Sequence, residues 1–321
     1  MQELLAIFKD YLQNLPLDDS PKQLYSPIKY SLEGGGKRLR PVFLLMAYNI
    51  FSDDISRALP LAASVEVFHN FTLLHDDIMD NAPTRHGRDA VHKAWGANAA
   101  ILSGDAMMIY AYSLLERVES ENFAEIFKQY NKMAMEVCQG QQLDMEFEKR
   151  TSVSREQYLE MVKLKTSALI ARSLKMGALL GGARAEDAEF LYNFGIDLGI
   201  AFQIQDDLLD TFGNAKTFGK PIGGDILEAK KTFTSISAIN LCAHLEPNIM
   251  LEALHNTSLN AETKIKQVTE LYINLGVRHQ TEKEIKNYIS KANSHLENLS
   301  VSSQKVAALA LMAEKLLNRN K

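Results

Sequence analysis

Two aspartate clusters occur on apolar segments of the chain, and each has carboxylates four residues apart. The first reads HDDIMD from residue 75 and the second reads DDLLD from residue 206. On a helix, Asp76 faces the same way as Asp80, and Asp206 the same way as Asp210. Like charges at this spacing oppose helix formation by about a few tenths of a kcal/mol, and burying them would cost far more. A divalent cation would remove both costs.

Magnesium suits these clusters. It prefers oxygen ligands and commonly takes one or two carboxylates, with water and substrate phosphate completing its shell. The spacing does not fit an EF-hand, which needs alternating oxygen ligands and a loop glycine, or a zinc site, which would draw on histidine or cysteine. The clusters are far enough apart for two helices that face each other across a cavity, with several magnesium ions and a diphosphate between them.

One such cluster alone would also fit a helix cap or a solvated face, but two on apolar helices favour metal binding. Asp77 and Asp207 point about 100° away from their neighbours on a helix. We expect these two to cap a helix or to hydrogen-bond groups that support the metal ligands.

Positive charge is placed locally. The segment GGGKRLRP begins at residue 34, and its glycines let backbone approach a phosphate that Lys37 and Arg40, one turn apart, can face together. By itself this segment would also fit a solvated basic turn. His69 lies two turns before the first cluster, although a lone histidine on an apolar face is usually structural. Further cations follow the two clusters: Arg85, Arg88, Lys216, Lys220, Lys230 and Lys231.

Helical periodicity predicts the elements that carry these residues. Apolar residues recur with a period of 3.6 in six segments, without a comparable run of period-two alternation. The breaks between segments are short and polar or rich in glycine. We predict an all-α protein that forms one large helical bundle over residues 1–321, with helices within 61–80, 97–118, 123–147, 158–180, 185–211 and 306–317.

Composition narrows the function. The apolar and charged fractions, 46% and 23%, are ordinary for a soluble globular protein, and a net charge of −5 argues against nucleic acid as the general partner. Two cysteines, Cys138 and Cys242, suit a reducing compartment. The longest uncharged, mostly apolar stretch is about half of the roughly 20 residues that a membrane span needs. We expect a cytoplasmic protein.

The motifs GGGKRLRP, HDDIMDNAPTRHG, KTSALIARS, FQIQDDLLD and GKPIGGDILEAKKT occur in this order from residue 34 to residue 232. Together they resemble the trans-isoprenyl diphosphate synthase (polyprenyl synthetase) family, and within it the short-chain farnesyl and geranylgeranyl diphosphate synthases. The resemblance implies an all-α bundle of the isoprenoid synthase type, with a deep central cavity between the two aspartate-rich helices. It also implies a homodimer.

The resemblance assigns magnesium to Asp76 and Asp80 on one wall and to Asp206 on the other, with Asp210 nearby through water and three ions when substrate is bound. It assigns isopentenyl diphosphate to three residues, Lys37, Arg40 and His69. It assigns the allylic diphosphate to Arg85, Lys165, Gln203, Lys220 and Lys230. Thr166 and Gln203 would offer oxygen atoms to the developing cation.

One position departs from the family pattern. His86 stands where the family commonly has the second of two consecutive arginines, which is also assigned to isopentenyl diphosphate. Because a neutral imidazole gives up a fixed charge, we expect weaker affinity for that substrate and retained chemistry. Arg88, two residues further on, is placed to compensate.

The implied reaction condenses isopentenyl diphosphate with dimethylallyl, geranyl or farnesyl diphosphate. Magnesium and cations would assist departure of the allylic diphosphate, and the resulting cation would be attacked by the double bond of isopentenyl diphosphate. Water must be kept from that cation, and the loop over residues 212–226 is a plausible lid.

Product length should depend on Phe71 and Thr72, which precede the first cluster on the same helix. An aromatic residue at the first of these positions resembles short-chain synthases, so we expect an all-trans C15 or C20 product. The alternative is that Phe71 only packs in the core.

Two rival functions remain open at this point. A terpene cyclase or head-to-head synthase also uses magnesium and aspartate-rich helices, but it needs neither the GGGKRLRP segment nor a second full cluster. A non-catalytic regulatory subunit should have lost aspartates, whereas this chain keeps all six.

Overall fold

The computed structural model describes residues 2–17, 20–213 and 222–317. Helices make up nearly all of the regular structure in these ranges. In chain order they are α1 (Gln2–Gln13), α2 (Lys22–Glu33), α3 (Leu39–Phe51), a 3₁₀ turn (Ile55–Ala58), α4 (Leu59–Met79), α5 (Val91–Trp95), α6 (Ala97–Leu115), α7 (Phe123–Lys149), α8 (Arg155–Val162), a π turn (Lys163–Ser167), α9 (Ala168–Leu180), α10 (Ala185–Phe212), α11 (Gly224–Leu227), α12 (Phe233–Leu241), α13 (Ile249–His255), α14 (Ala261–Asn274), α15 (Val277–Glu297) and α16 (Ser303–Leu317).

The chain groups into two compact units. The first comprises Met1–Tyr130 and Ser173–Ala188, and the second comprises Asn131–Arg172 and Glu189–Lys321. The sequence led us to expect one domain over residues 1–321, and the domain count stays a prediction.

The first unit is built around α4, which packs against α3 and α6. Proline near its first turn suits a helix start, because the missing N–H would have no partner there. Residues 61–68, LAASVEVF, are all buried, so this helix is enclosed on more than one side. α4 thereby holds the first aspartate cluster at the end of a rigid core element.

The second unit holds α8, the π turn, α10 from Glu189 onward and the C-terminal helices. A capping box formed by Ser154 and Gln157 begins α8, and a second one formed by Thr232 and Ser235 begins α12. Helices α13 and α14 pack with the start of α15 in an apolar cluster that includes Met250, Val268, Tyr272 and Val277. These caps and contacts fix the elements that flank the second aspartate cluster.

Two local features differ from the predicted pattern. The segment expected as one helix over residues 158–180 is interrupted by the π turn Lys163–Ser167. A short hairpin, β1 (Thr84–Arg85) and β2 (Arg88–Asp89), follows the first cluster. Its two-residue turn places His86 and Gly87 at φ of 52° and 77°, the left-handed region that tight hairpin turns require.

Candidate active site

The end of α4 separates the carboxylates of the first cluster. Asp77 is buried, with 3% of its surface exposed, whereas Asp76 is partly exposed and Asp80, at the C-cap, is exposed. The N–H of Asp80 donates to the carbonyl of Asp76 at 2.9 Å, so the two keep the i, i+4 relation. Two carboxylates are therefore accessible and the third points inward.

Arg85, on β1, pairs with the inward aspartate. Its Nε donates to Asp77 Oδ1 at 2.9 Å, and its Nη2 lies 3.5 Å from Asp76 Oδ2. Burial disfavours the charged guanidinium, but the hydrogen bond and charge of Asp77 raise the pKa of Arg85 above its ordinary value. The predicted diphosphate contact thus lies directly beside a predicted metal ligand.

Cationic side chains gather around His69 in α4. Burial and the charges of Arg40, Arg38 and Arg85 lower the pKa of His69 well below its ordinary value, so its imidazole is neutral near pH 7. Its Nδ1 is buried and has no hydrogen-bond partner among the described residues. The charges of Arg40, which is also predicted for isopentenyl diphosphate, and of Arg85 therefore both act on His69.

The glycine turn between α2 and α3 lies against His86. Gly35 and Gly36 have φ of 95° and 96°, values that favour glycine. A Cβ atom on Gly36 would lie 3.5 Å from Nε2 of His86. His86 therefore lies beside the turn that carries Lys37, whose side chain is exposed.

Sequence reasoning missed the buried ion pair beneath this turn. Arg38 is 8% exposed and Glu66 is 2% exposed, and the Nη1 of Arg38 donates to Glu66 Oε1 at 2.5 Å. Arg38 also donates to the backbone carbonyl of Leu32. Asn70 Nδ2 donates to Glu66 Oε1 at 2.9 Å. The available signal was a glutamate inside the apolar run LAASVEVF, because a buried carboxylate needs a partner.

Arg88 and His86 line one small cavity. The Arg88 guanidinium lies 3.7 Å from the centroid of the Tyr30 ring, a cation–π contact. Together with Gly34 and Arg85, these side chains line a cavity of about 30 Å³. Arg88 thus lies beside His86, and its role in compensating for the missing charge stays a prediction.

The residues predicted to limit product length lie on α4 in an aromatic row. The half-buried Phe71 ring has its centroid 5.5 Å from that of Phe68 and 4.8 Å from that of His75. The Thr72 hydroxyl donates to the carbonyl of His69 at 2.8 Å. Phe71 is thus held by aromatic contacts one turn on either side.

The second cluster, on α10, repeats the arrangement of the first. Asp207 is 4% exposed, whereas Asp206 and Asp210 are only partly buried. Three donors converge on Asp207: the Tyr158 hydroxyl at 2.5 Å and the Phe233 N–H at 2.8 Å from Oδ2, and the Gln203 Nε2 at 3.1 Å from Oδ1. Burial nevertheless raises the pKa of Asp207 to about 6.

The π turn carries Lys165 and Thr166. It packs closely on α7, because a Cβ atom on Gly140 would lie 2.2 Å from the backbone N of Lys165. The Nζ of Lys165 donates to Asp144 Oδ2 at 2.5 Å, one helical turn after that glycine. Thr166 Oγ1 donates to Gln203 Oε1 at 3.1 Å. π turns often occur at functional sites, and neither this turn nor Asp144 was predicted.

The segment after α10 is described in part. Asp210 Oδ2 accepts the N–H of Asp225 at 3.1 Å, and burial and the charge of Asp210 raise the pKa of Asp225 to about 7. Lys230 pairs with Glu228 at 3.0 Å. Lys216, Lys220 and most of the predicted lid over residues 212–226 lie outside the described residues.

The donor set fits magnesium. Within the described ranges no group of three or more His, Cys, Asp or Glu forms a ready metal cluster. Each aspartate cluster instead offers two accessible oxygen ligands on one helix face, which is the usual protein share of a magnesium shell. In the first unit Asp76 and Asp80 are the residues that would hold metal, and in the second unit Asp206 and Asp210 are.

Comparison with known proteins identifies the family. The polyprenyl synthetase family matches residues 21–272. The chain belongs to the polyprenyl synthetase family. It is 41% identical over 254 residues to the short chain isoprenyl diphosphate synthase of Methanocaldococcus jannaschii, covering 79% of this chain and 77% of that protein. It is 35% identical over 325 residues to the geranylgeranyl diphosphate synthase of Sulfolobus acidocaldarius, covering 99% and 97%.

Solved polyprenyl synthetase structures share the fold. The geranylgeranyl pyrophosphate synthase of Corynebacterium glutamicum, complexed with isoprenyl diphosphate and magnesium, matches with a TM-score of 0.87 and 27% identity. The match covers 99% of this chain and 98% of that one. The predicted family, all-α fold and prenyltransferase class are confirmed, as is short-chain prenyl diphosphate elongation. Magnesium dependence is general to this family.

Among the described residues, no helix is long and apolar enough to cross a membrane.

Proposed function

We propose that this polyprenyl synthetase condenses isopentenyl diphosphate with dimethylallyl, geranyl or farnesyl diphosphate and releases an all-trans C15 or C20 diphosphate. One observation carries the proposal: both aspartate clusters leave their first and last carboxylates accessible and bury the middle one. Each middle carboxylate is held by side chains that belong to the predicted substrate contacts, Arg85 for Asp77 and Gln203 for Asp207.

The first unit would bind isopentenyl diphosphate. Lys37 on the glycine turn, Arg40 in α3 and His69 in α4 supply its donors, with His86 beside the same turn. Because His69 is neutral before binding, an incoming diphosphate would favour its protonation and gain a charge-assisted hydrogen bond. Arg88, which lies beside His86, would add a fixed positive charge near this site.

The allylic diphosphate would be bound by four of the cations that the family resemblance assigns to it. These are Arg85, Lys165, Lys220 and Lys230. Lys165 is paired with Asp144 and Arg85 with Asp77, so both ammonium and guanidinium groups are already oriented by carboxylates. Such fixed donors stabilise the negative charge that grows on a departing diphosphate.

Magnesium would bind to Asp76, Asp80, Asp206 and Asp210, with three ions present when substrate is bound. Bound magnesium supplies positive charge that neutralises the departing diphosphate. The oxygens of Thr166 and Gln203 would face the allylic cation. The double bond of isopentenyl diphosphate then forms the new carbon–carbon bond, and a proton lost to the released diphosphate restores an alkene. The segment over residues 212–226, which the sequence predicts to be a lid, would keep water away.

A second copy of the chain is the proposed partner of α6. This helix exposes Ile101, Leu102, Met108 and Ile109, and Phe127 of α7 is exposed as well. Monomeric proteins rarely expose a contiguous apolar patch of this kind, and a symmetric dimer would cover it with the same face of its partner. We define these five residues as the α6 patch. The cytoplasmic location expected from the sequence stays a prediction.

The first experiment supplies the purified protein with magnesium, isopentenyl diphosphate and each of the C5, C10 and C15 allylic diphosphates, and identifies the products by mass. We expect C15 or C20 diphosphates that disappear when a chelator is added and return with excess magnesium. Cyclised hydrocarbon would replace the proposal with a cyclase, and no turnover with any starter would favour a regulatory subunit.

A further inference from the structure

Asp207 is a buried junction between three elements of the second unit. Its Oδ2 accepts from the hydroxyl of Tyr158 on α8 and from the backbone N–H of Phe233 at the start of α12. A backbone N–H can only donate, so this oxygen acts as an acceptor. The two donors hold one side of the carboxylate, and the remaining oxygen, Oδ1, faces Gln203 one turn earlier on α10.

The carboxylate decides which way the Gln203 amide points. An amide group has an NH₂ donor at one end and a carbonyl acceptor at the other. Asp207 Oδ1 is an acceptor, so it accepts a hydrogen bond from the NH₂ end of the Gln203 amide. The carbonyl oxygen Oε1 of Gln203 must then face the opposite side. There Thr166 Oγ1 donates to it at 3.1 Å. The chain of contacts therefore sets the position of a carbonyl oxygen at the π turn.

Tyr158 is well placed to hold this arrangement. It is 2% exposed, and its ring centroid lies 6.2 Å from that of Phe233. It lies in the first turns of α8, which the capping box of Ser154 anchors. Burial and the charge of Asp207 raise the pKa of Tyr158 well above its ordinary value, so the hydroxyl keeps its proton.

We infer that Tyr158 is a positioning residue for prenyl transfer, which acts through Asp207 to keep the Gln203 carbonyl oxygen on the Thr166 side. The inference rests on the proposed function, in which these two oxygens face the allylic cation. Without the hydroxyl, Asp207 is held at Oδ2 by Phe233 alone and can turn. The Gln203 amide then loses its fixed orientation, and its NH₂ end, which repels a carbocation, reaches the Thr166 side part of the time.

The test is Tyr158→Phe, with kcat and both KM values measured by steady-state kinetics. We expect kcat to fall about five- to tenfold, the usual effect of losing one oriented hydrogen bond, with both KM values within about twofold of the wild type. Tyr130→Phe is the matched control, since it removes a buried hydroxyl that donates to the Ser64 carbonyl at 3.2 Å in the first unit. The control should keep kcat even where its melting temperature drops.

A double-mutant cycle separates positioning from general loosening of the fold. In a Gln203→Ala background, Tyr158→Phe should change kcat by less than about twofold, because the group through which it acts is gone. The inference would be overturned if Tyr158→Phe lowered kcat equally in the wild-type and Gln203→Ala backgrounds, or if the folded Tyr158→Phe variant kept the wild-type kcat. In either case wild-type turnover would still support the proposed function. A wild type that turns over no substrate would reject the proposed function itself.

Discussion

At the scale of single residues, the middle aspartate of each cluster differs in role from its neighbours. Asp77 and Asp207 are 3% and 4% exposed, and each accepts hydrogen bonds from its own unit. Adjacent helical residues differ by about 100° in direction, so one face can hold metal ligands while the next residue enters the core. A short run of acidic residues can therefore serve two functions, metal binding and structural support.

The buried pair of Arg38 and Glu66 makes a residue-scale prediction about substrate affinity. Glu66→Gln keeps the side-chain shape but removes the charge that Arg38 needs, so the free energy of unfolding should fall by about 3 kcal/mol. Arg38 belongs to the turn that carries Lys37, so loss of its partner should displace that turn. The KM for isopentenyl diphosphate should therefore rise about tenfold, whereas the KM for the allylic substrate should stay unchanged. Substrate titrations and thermal unfolding measure both.

The control for that variant is Glu121→Gln, at an exposed position between α6 and α7. It should change neither the stability nor either KM. An equal rise of both KM values in Glu66→Gln would contradict a local effect on the glycine turn.

Phe71 carries a prediction about product length. Phe71→Ala removes a ring that contacts Phe68 and His75, and the space it leaves should admit a longer prenyl chain, by about one or two C5 units if the new space is not refilled. Mass analysis of products from farnesyl diphosphate measures the shift. Phe71→Leu retains most of the volume and should stay nearer the wild-type distribution. An unchanged distribution for the alanine variant would mean that Phe71 only packs in the core.

At the scale of elements, the π turn Lys163–Ser167 is the feature that places Lys165 and Thr166. It widens the helix locally, and α7 accommodates it only because residue 140 is glycine. Four residues later on α7, Asp144 pairs with Lys165. One face of α7 therefore both receives the turn and orients its lysine.

Gly140→Ala tests this close packing. The added Cβ would lie 2.2 Å from the backbone N and 2.6 Å from the Cα of Lys165, so the turn must move. We expect the free energy of unfolding to fall by about 1–3 kcal/mol. We also expect kcat to fall by more than the unfolded fraction of the variant can explain. Gln142→Ala, at an exposed site on the same helix, should leave both unchanged. Wild-type kcat for Gly140→Ala would show that the turn position is not important for catalysis.

At the scale of the whole molecule, the α6 patch predicts self-association. The double variant Leu102→Glu with Ile109→Glu introduces charges at side chains that are 61% and 65% exposed, so it should leave the fold intact and break the dimer. Sedimentation velocity should report one chain mass instead of two. Ile273→Glu changes an equally exposed isoleucine, 57% exposed, on α14 of the second unit and should remain dimeric. A monomeric wild type would refute the proposed interface.

Much of this protein follows from residue type and spacing alone. The 3.6-residue period of the apolar positions predicts the helices, and the i, i+4 aspartates on them predict oxygen ligands for magnesium, because both depend on helix geometry that is local in sequence. The order of five motifs was enough to indicate the family that the comparisons confirm.

Other features depended on contacts between residues distant in sequence. Arg38 lies in the turn before α3 and pairs with Glu66 of α4, and Tyr158 of α8 pairs with Asp207 of α10. Because each pair joins different elements, no periodicity could predict it. The π turn at Lys165 was not predicted, and Gly140, the residue that leaves room for it, lies on another helix. Local spacing determines which face a side chain takes, whereas packing between elements determines what it meets there and hence which carboxylates stay available for metal.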